Sequence, residues 1–368
     1  MRILMTTDTV GGVWTFTEEL ATALIQHGCA ICLVSIGRPA SAAQQSWCDR
    51  MQSSRQDWFR YEHVDAPLEW MQSNEGAYKD AAPRLLAFIE DFNAELLHTN
   101  QFCFGAPPIE IPKIITAHSD VFSWAQACRG GALPPSDWLT RYSALVTRGI
   151  YQADAVTAPT QWMATSLANT FALRQTPAVI PNGRTLSGGT ELGKRKLQAV
   201  TAGRLWDEAK NISLLAGLQS PIPIMVAGER EHDSAVMTAT LDSATMLGTL
   251  GSEELLALFR ESAIYICTSR YEPFGLAPLE AALCGCAVLA YDILSLREVW
   301  GSAALYFDRG HSLGFLLDEL RNNAARLIAA QERSLARART FTAKRMASAY
   351  YRLFERALAA HEDIVYAP

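Results

Sequence analysis

Short, almost uninterrupted apolar runs recur along the whole chain, and stretches with helical periodicity separate them. Such runs are typical of strands in parallel sheets, which are buried on both faces because the connecting helices cover them. The pattern therefore predicts an α/β chain with two Rossmann-like lobes. The predicted strands of the first lobe are residues 3–5, 31–36, 96–98, 114–116 and 155–157. Those of the second lobe are residues 198–202, 223–227, 263–267, 287–290 and 305–307.

A turn-rich stretch over residues 181–193 is the best boundary between the two lobes. We predict a first domain over residues 1–183, a linker over 184–197, a second domain over 198–345 and a C-terminal helix over 346–368. One polar, Gln- and Ser-rich region, Ala40 to Tyr78, resembles an insertion, and the sequence assigns it no role.

Composition and charge exclude several classes of protein. With 368 residues, 49% of them apolar and 19% charged, the chain is typical of a globular protein with two cores. A formal net charge of −6 disfavours a nucleic-acid partner along the length of the chain. No run approaches the roughly 20 apolar residues of a membrane span, and the chain opens on a strand pattern rather than a signal peptide. We therefore expect a cytoplasmic protein.

The eight cysteines are too sparse for a disulfide framework in a chain of this length. Cys29 and Cys32 form a C-x-x-C pattern after His27, which leaves a metal or redox site open. No second C-x-x-C pair follows downstream, and Cys32 lies in a predicted apolar strand. Small core residues are therefore the favoured interpretation of both cysteines.

The C-terminal tail, residues 313 to about 360, has helical periodicity and a basic character. A solvated helix face is the favoured interpretation, and peripheral association with the inner face of the membrane stays open. Its basic residues are Arg333, Arg337, Arg339, Lys344 and Arg345.

Gly11 and Gly12 follow the first predicted strand and precede a helix. Two glycines at such a turn let backbone amides approach a ligand at the positive end of the helix dipole. The G-x-G-x-x-G spacing is absent, so a dinucleotide fingerprint is not supported. Both a tight turn and a phosphate site remain open.

Arg204 and Lys210 directly follow a predicted strand of the second lobe. Ligands of parallel sheets bind at the carboxyl ends of the strands. An Arg fork with a mobile Lys suits a pyrophosphate, whose charge increases as its bond to a sugar breaks. Two surface cations are the alternative.

A second segment after a strand, Glu272 to Glu280, adds two carboxylates at the start of a predicted helix. Pro278 fits the first turn of that helix, so Glu272 would lie in the loop and Glu280 within the helix. Two carboxylates beside a phosphate site are unfavourable unless they bind hydroxyl-rich ligands such as sugars or ribose. A solvated acidic pair is the alternative.

In their order and spacing, these residues resemble the retaining glycosyltransferases of family 4, which have the GT-B fold. The resemblance extends from about residue 1 to about residue 350, and it implies two Rossmann-like lobes facing a central cleft, with the C-terminal helix packing back on the N-terminal lobe. Further matching segments are Gly11–Trp14, His98–Asn100, Thr116–Ser119, Ala158–Thr160, Ile180–Gly183, Leu247–Leu250, Ser252–Leu255 and Leu296–Val299.

The resemblance implies roles for the residues of the second lobe. Arg204 and Lys210 would neutralise the donor diphosphate, and Glu272 would hold sugar hydroxyls. Glu280 would accept hydrogen bonds from the ribose. Other donor contacts would come from the backbone amides of Phe274, Gly275 and Leu276, and from the backbone around Gly248 and Leu250, which would meet the base.

For the first lobe, the resemblance implies that Gly11 and Gly12 close over the pyrophosphate and that His118 faces the transferred sugar. A structural histidine at a strand end is the alternative for His118. Loops over residues 102–105 and 121–135 would shape the acceptor site. Their aromatic and glycine residues suit a lipid-linked sugar, a glycan end or a small aglycone.

The resemblance also implies a reaction that retains the anomeric configuration and needs neither a metal nor a cofactor. The chain has no Asp-x-Asp motif, as expected for metal-independent binding. The co-substrate would be a nucleotide diphosphate sugar of the UDP or GDP type, and the acceptor a carbohydrate or glycolipid. A sugar-nucleotide epimerase and a non-catalytic sugar-nucleotide-binding protein remain the alternatives. The sequence does not identify the acceptor, the donor base or sugar, the linkage position, the oligomeric state or the pathway.

Overall fold

The computed structural model describes residues 1–186, 195–232, 235–237, 241 and 243–365. These residues form two compact units. The first contains residues 1–123, 132–183 and the C-terminal segment from Ala343, and the second contains residues 124–131 and 184–342. Most of the predicted linker, residues 187–194, lies outside the described residues. Within those described ranges, no helix is long and apolar enough to cross a membrane.

The first unit is built on a seven-stranded parallel sheet with the order β3-β2-β1-β4-β5-β6-β7. The order 3-2-1-4-5-6 within it is that of a Rossmann sheet, and all five strands predicted for this lobe are present. β2 is buried along its whole length because both faces of the sheet are covered. The strands are β1 (Arg2–Asp8), β2 (Ala30–Ile36), β3 (Phe59–Val64), β4 (Leu96–Thr99), β5 (Lys113–Thr116), β6 (Ala155–Ala158) and β7 (Ala178–Val179).

Helices connect these strands in the order expected for a doubly wound sheet. Two short 3₁₀ helices, Asn74–Gly76 and Phe102–Gly105, interrupt the longer connections. The α-helices are α1 (Gly12–Gln26), α2 (Ala42–Ser54), α3 (Ala82–Phe92), α4 (Val121–Arg129), α5 (Asp137–Gln152) and α6 (Gln161–Thr170). Of these, α4 passes from the first unit to the second at Trp124.

The region from Ala40 to Tyr78 is part of the sheet architecture rather than an insertion. It supplies helix α2 and the edge strand β3, which pairs with β2. An edge strand has one neighbour and partly wet faces, so four central residues of β3 are only half-buried. Polar residues such as Arg60 and Glu62 are tolerated there, and the apolar run that marks the inner strands is missing.

The second unit contains a six-stranded parallel sheet with the order β12-β9-β8-β13-β14-β15. Counted along this unit, the order is again 3-2-1-4-5-6, and the five predicted strands are present. The strands are β8 (Lys196–Ala202), β9 (Ile224–Ala227), β12 (Ala244–Gly248), β13 (Ser262–Cys267), β14 (Ala287–Tyr291) and β15 (Leu305–Phe307). A small antiparallel pair, β10 (Glu231–His232) and β11 (Ala235–Val236), follows β9.

The helices of the second unit cover both faces of its sheet. Short 3₁₀ helices lie at Glu208–Lys210, Ile212–Leu215 and Gly301–Ala303. The α-helices are α7 (Ser252–Glu261), α8 (Leu276–Leu283), α9 (Leu294–Trp300), α10 (Gly310–Asn322) and α11 (Ala324–Ala338). Arg337 of α11, assigned to the basic face by sequence, donates to the carbonyls of Val299 at 2.6 Å and Glu298 at 3.3 Å. It is therefore held within the unit.

The predicted helical tail is three helices, of which the last, α12 (Ala343–Val365), belongs to the first unit. α12 packs on α1, which confirms that the C-terminal helix packs back on the N-terminal lobe. Its buried Tyr350 hydroxyl lies 2.9 Å from Thr116 Oγ1 and 3.2 Å from Thr157 Oγ1. These contacts join α12 to β5 and β6.

Cys29 and Cys32, the C-x-x-C pair, are buried free cysteines. Burial raises the pKa of the Cys32 thiol to about 12, so the thiol stays protonated at neutral pH. They pack as small core residues beside and within β2.

Candidate active site

The main cluster of predicted residues lies where β8 and β13, adjacent strands of the second sheet, end. The chain order reverses between these two strands, and ligands of doubly wound sheets bind at such a point. Lys210 follows β8 and Glu272 follows β13. Lys210 Nζ donates to Glu272 Oε2 at 2.6 Å, and the two side chains are 22% and 14% exposed. The structure therefore brings the predicted cation and carboxylate together in a largely buried pair.

Asn211 holds the loop after β8 against the end of β13. It adopts the left-handed conformation with φ 51°, which Asn tolerates better than most residues. Its Nδ2 donates to the Thr268 carbonyl at 3.1 Å, and Thr268 Oγ1 donates to the Lys210 carbonyl at 2.6 Å. These two hydrogen bonds between the loop and Thr268 thus fix the position of the Lys210 backbone.

Burial and neighbouring charges act in opposite directions on Lys210. Burial lowers its pKa, but the Glu272 carboxylate raises it more, and the net pKa lies above the ordinary value. Ser269 Oγ also donates to Glu272 Oε2 at 3.2 Å, so this oxygen has two partners. Lys210 is therefore an ammonium at neutral pH, available to an anion.

Arg204 lies on the same loop and is held by Asp207. Its Nη2 donates to Asp207 Oδ2 at 2.7 Å, and its guanidinium lies 5.6 Å from the centre of the Trp206 ring. Burial would raise the Asp207 pKa, but Arg204 and the Ala209 amide outweigh it, and the pKa is lowered. Arg204 Nε is buried without a hydrogen-bond partner among the described residues. An unsatisfied buried N–H is costly and marks a place for an acceptor.

Gly275 shapes the start of α8 directly after Glu272. Its φ is 91°, and a Cβ there would lie 2.8 Å from Pro278 Cγ and 3.2 Å from Glu272 Cγ. Phe274, before it, is buried and packs edge-on against Phe341. The residues predicted to offer amides, Phe274 to Leu276, therefore form the turn that also places Glu272.

Glu280 has a partner that the sequence did not indicate. Arg184 Nε donates to Glu280 Oε1 at 2.8 Å, and both side chains are nearly buried, with 14% and 13% exposed. The two residues are 96 positions apart, and Arg184 falls in the predicted linker, so no local pattern indicated the pair. Glu280 is thus a carboxylate in the middle of α8 whose charge is neutralised by Arg184.

A pocket of about 430 Å³ lies at the carboxyl ends of β9 and β12. Gly248, predicted to meet a base, lines it with φ 72°, and its carbonyl accepts from the Gly228 amide at 2.8 Å. Leu250 is half-buried and packs against the core. The charged residues here were not predicted from sequence, although their position directly after a strand was a usable signal. The lining residues are Gly228, Glu229, Arg230, Glu231, Gly248 and Thr249.

In the first unit, Gly11 and Gly12 lie where β1 ends and α1 begins. Gly11 has φ 70°, and both glycines are exposed. Just before them, Asp8 Oδ1 accepts from the Val10 amide at 2.8 Å and fixes the turn.

His118 follows β5 in the same unit and contacts Asn100. Its Nε2 lies 2.8 Å from Asn100 Oδ1, and Asn100 Nδ2 donates to the Thr6 carbonyl at 2.7 Å. Because the second bond fixes the amide orientation, Nε2 carries the proton and Nδ1 is the acceptor. Burial lowers the His118 pKa to about 3, so the ring is neutral at pH 7. The ring also packs edge-on against Phe16, with centres 4.5 Å apart.

Glu69, from the region without an assigned role, holds the loop that follows β4. Its carboxylate is buried and accepts from the amides of Phe102 at 2.9 Å and Cys103 at 2.7 Å. Burial raises the Glu69 pKa, while the two amide hydrogen bonds lower it in part. The predicted acceptor loop over residues 102–105 is therefore anchored by a residue that periodicity did not reveal.

Two family models match the chain. Residues 10–187 match the model described as Glycosyltransferase Family 4, and residues 196–328 match Glycosyl transferases group 1. The O-antigen chain mannosyltransferase B of Escherichia coli is 31% identical over 129 residues, which are 33% of this chain and only 34% of that relative. A glycogen synthase of Mycobacterium tuberculosis is 25% identical over 338 residues, 81% of this chain and 80% of that relative.

Solved structures share the fold at low sequence identity. The sucrose-phosphate synthase of Thermosynechococcus elongatus is 16% identical with a TM-score of 0.75, covering 98% of this chain and 100% of that one. Anabaena HepE in complex with UDP is 15% identical with a TM-score of 0.69, covering 97% and 100%.

Proposed function

Because the chain belongs to glycosyltransferase family 4 and has the GT-B fold, we propose that it is a retaining hexosyltransferase that uses a nucleoside diphosphate sugar. The acceptor in this proposal is a carbohydrate, a glycolipid or a small molecule. The observation that carries it is the buried Lys210–Glu272 pair, which lies with Arg204 where β8 and β13 end.

Charge stabilisation of the leaving diphosphate is the central step. The diphosphate gains negative charge as the sugar leaves, and fixed cations in a partly buried site stabilise that change. Lys210 and Arg204 supply them, and Arg204 Nε, which has no partner in the described part of the chain, is one further donor. Glu272 holds sugar hydroxyls with the carboxylate that also keeps Lys210 in position.

The bonds exchange on one face of the sugar. The bond between the anomeric carbon and the diphosphate oxygen breaks, and the acceptor oxygen bonds to the same carbon on that face. The acceptor proton passes to the departing phosphate oxygen, so no side chain is assigned as general base. The transition state resembles an oxocarbenium ion.

The remaining donor contacts are assigned from the family resemblance. Glu280 accepts from the ribose, and the amides of Phe274, Gly275 and Leu276 bind sugar or phosphate oxygens. Gly248 and Leu250 meet the base. In the first unit, Gly11 and Gly12 bind the pyrophosphate and neutral His118 binds the transferred sugar.

The names of the relatives support the substrate class. One relative is a mannosyltransferase of O-antigen chains and another a glycogen synthase, and HepE has been solved with UDP and with UDP and glucose. We infer a hexose donor and a role in polysaccharide assembly. Peripheral contact with the inner face of the membrane belongs to this proposal, since lipid-linked acceptors are found there.

A panel of sugar nucleotides, with glycolipid and oligosaccharide acceptors, tests the proposal. The expected product is an acceptor heavier by one hexose in mass spectrometry, with the donor's anomeric configuration in NMR. Isomerised donor without any acceptor would indicate an epimerase instead. Tight donor binding with no hydrolysis or transfer would indicate a binding protein, and neither binding nor turnover would refute the proposal.

A further inference from the structure

The pocket at the ends of β9 and β12 is lined by a run of charges, and it adjoins the loop of Arg204, where the proposed function places the donor diphosphate. Glu229, Arg230 and Glu231 follow β9 without interruption, and all three line the pocket. A carboxylate near a bound diphosphate is repelled by it, so these acids need a compensating role. Accepting hydrogen bonds from the N–H groups of the nucleotide base would be such a role.

Backbone and side-chain contacts fix Glu229 next to the loop that holds Arg204. The Leu205 amide donates to the Glu229 carbonyl at 2.8 Å, and Trp206 Nε1 donates to Glu229 Oε2 at 3.3 Å. Glu229 is half-buried, whereas Arg230 and Glu231 are exposed. A carboxylate accepts about four hydrogen bonds, so the Trp206 contact leaves capacity for a ligand.

The nucleotide bases differ in the hydrogen-bond donors and acceptors that they present to such a pocket. Guanine has two neighbouring donors, N1–H and the N2 amino group, and two neighbouring acceptors, O6 and N7. A carboxylate matches the donor pair, and a guanidinium matches the acceptor pair. Uracil presents one N–H between two carbonyl oxygens, and those oxygens are repelled by a carboxylate.

We propose that this pocket selects guanine, and that the donor is therefore a guanosine diphosphate sugar. Glu229 accepts from guanine N1–H and the N2 amino group, and Arg230 donates to O6 and N7. The backbone of Gly228 and Gly248 forms the wall of the pocket. The inference rests on the proposed function, because it names the base of the donor bound at that same site.

Three nucleoside diphosphates separate the contributions of the base. GDP, IDP and UDP share the ribose and the diphosphate; IDP lacks only the guanine N2 amino group, whereas UDP has a different base. Binding of each to the full-length protein is measured by isothermal titration calorimetry. We expect GDP to bind at least 10-fold more tightly than UDP, with IDP between them, since a bidentate pair discriminates by about 10-fold or more.

The Glu229→Gln variant tests the residue assignment. Its neutral amide replaces one acceptor oxygen by a donor, so GDP binding should weaken about 10-fold while UDP binding should not weaken, because the repulsion of the uracil oxygens is removed. Asp318→Asn is the matched control, because Asp318 is exposed on α10 and the charge change is the same. The control should leave all three affinities unchanged.

The outcomes distinguish this inference from the proposed function. UDP binding as tight as GDP, or tighter, would overturn the guanine assignment and leave a nucleotide-sugar transferase intact. A GDP preference that survives Glu229→Gln would overturn the role of Glu229. Binding of none of the three would overturn the guanine assignment, and it would refute the proposed function itself if the sugar-nucleotide panel also showed neither binding nor turnover.

Discussion

At the scale of single residues, the second unit pairs the charged side chains of the site with one another. Lys210 and Glu272 are largely buried and 2.6 Å apart, and Arg204 is held by Asp207. Breaking a buried pair leaves an uncompensated charge, which costs more than losing an exposed pair. Substitutions in these pairs therefore affect both folding and chemistry, and each needs a matched control.

Lys210→Ala should lower kcat/KM by about 10²-fold or more, because it removes a cation that the leaving diphosphate needs. The measurement is steady-state transfer with the donor found active in the panel. Lys196→Ala is the control. Lys196 is exposed at the start of β8, the end of the strand away from Lys210, and pairs with Glu261 at the end of α7. It should leave activity unchanged and alter the free energy of unfolding by about 1 kcal/mol at most. Equal activity losses in both variants would contradict the assignment.

Gly275→Ala should weaken donor binding and lower the melting temperature. The added Cβ would lie 2.8 Å from Pro278 Cγ, in a conformation with φ 91° that disfavours side chains. Gly217→Ala separates backbone strain from a steric clash, because Gly217 has φ 71° but none of the described residues comes within 4 Å of its Cβ position. Calorimetric melting and GDP and UDP titrations should show a larger loss for Gly275→Ala, and equal losses would indicate backbone strain alone.

The site itself was only partly predictable from sequence. Lys210 and Glu272 were predictable because each follows an apolar strand, and strand ends on one edge of a parallel sheet converge. The partner of Glu280, Arg184, was not, since nothing local links residues 96 positions apart. Glu69 was missed for the same reason, as its partners are backbone amides of a distant loop.

At the scale of secondary-structure elements, burial decided what could be predicted. The inner strands are apolar on both faces, so their apolar runs could be recognised in the sequence. β3, at the edge of the sheet, lacks such a run and was not predicted. The helical tail was predicted correctly, but its breaks were not, because Asn323 and residues 339–342 change the chain direction without a proline or glycine. Which helix face packs on which unit depends on tertiary contacts.

Tyr350→Phe should loosen α12 from the first unit. The variant loses the hydroxyl that lies between Thr116 and Thr157 in a buried site, which costs about 1–3 kcal/mol in the free energy of unfolding. The check is urea unfolding together with hydrogen exchange of the α12 amides. Tyr351→Phe is the control, because the Tyr351 side chain follows Tyr350 in sequence but is only half-buried and stacks on His27. A loss of equal size in both variants would contradict this role for the Tyr350 hydroxyl.

At the scale of the whole molecule, the two units have separate cores and need not unfold together. The first unit contains two histidines, His98 and His118, whose pKa values are lowered to about 3, mainly by burial. In the unfolded chain their pKa values return to about 6.5. Between these values the unfolded state binds protons that the folded state does not.

Acidification should therefore destabilise the first unit. Its stabilisation by neutral histidines is complete above about pH 6.5 and is lost as the pH falls toward 3, by about 1.4 kcal/mol per pH unit for each histidine. Urea unfolding at pH 7.5 and 5.0, followed by hydrogen exchange of β4 and β5, measures the loss. His98→Gln should reduce the pH dependence, and His311→Gln, at an exposed position on α10, should not. An unchanged slope in His98→Gln would refute the explanation.

The return of α12 to the first unit has a consequence for biosynthesis. As the chain leaves the ribosome, residues 1–183 are made before residues 343–365, so α12 docks on the first unit only after residues 184–342 have been translated. Until then, Thr116 and Thr157 lack the Tyr350 hydroxyl that contacts them, and the nascent first unit is incomplete. Loss of residues 343–365 would thus damage a unit whose sheet is encoded far upstream of them.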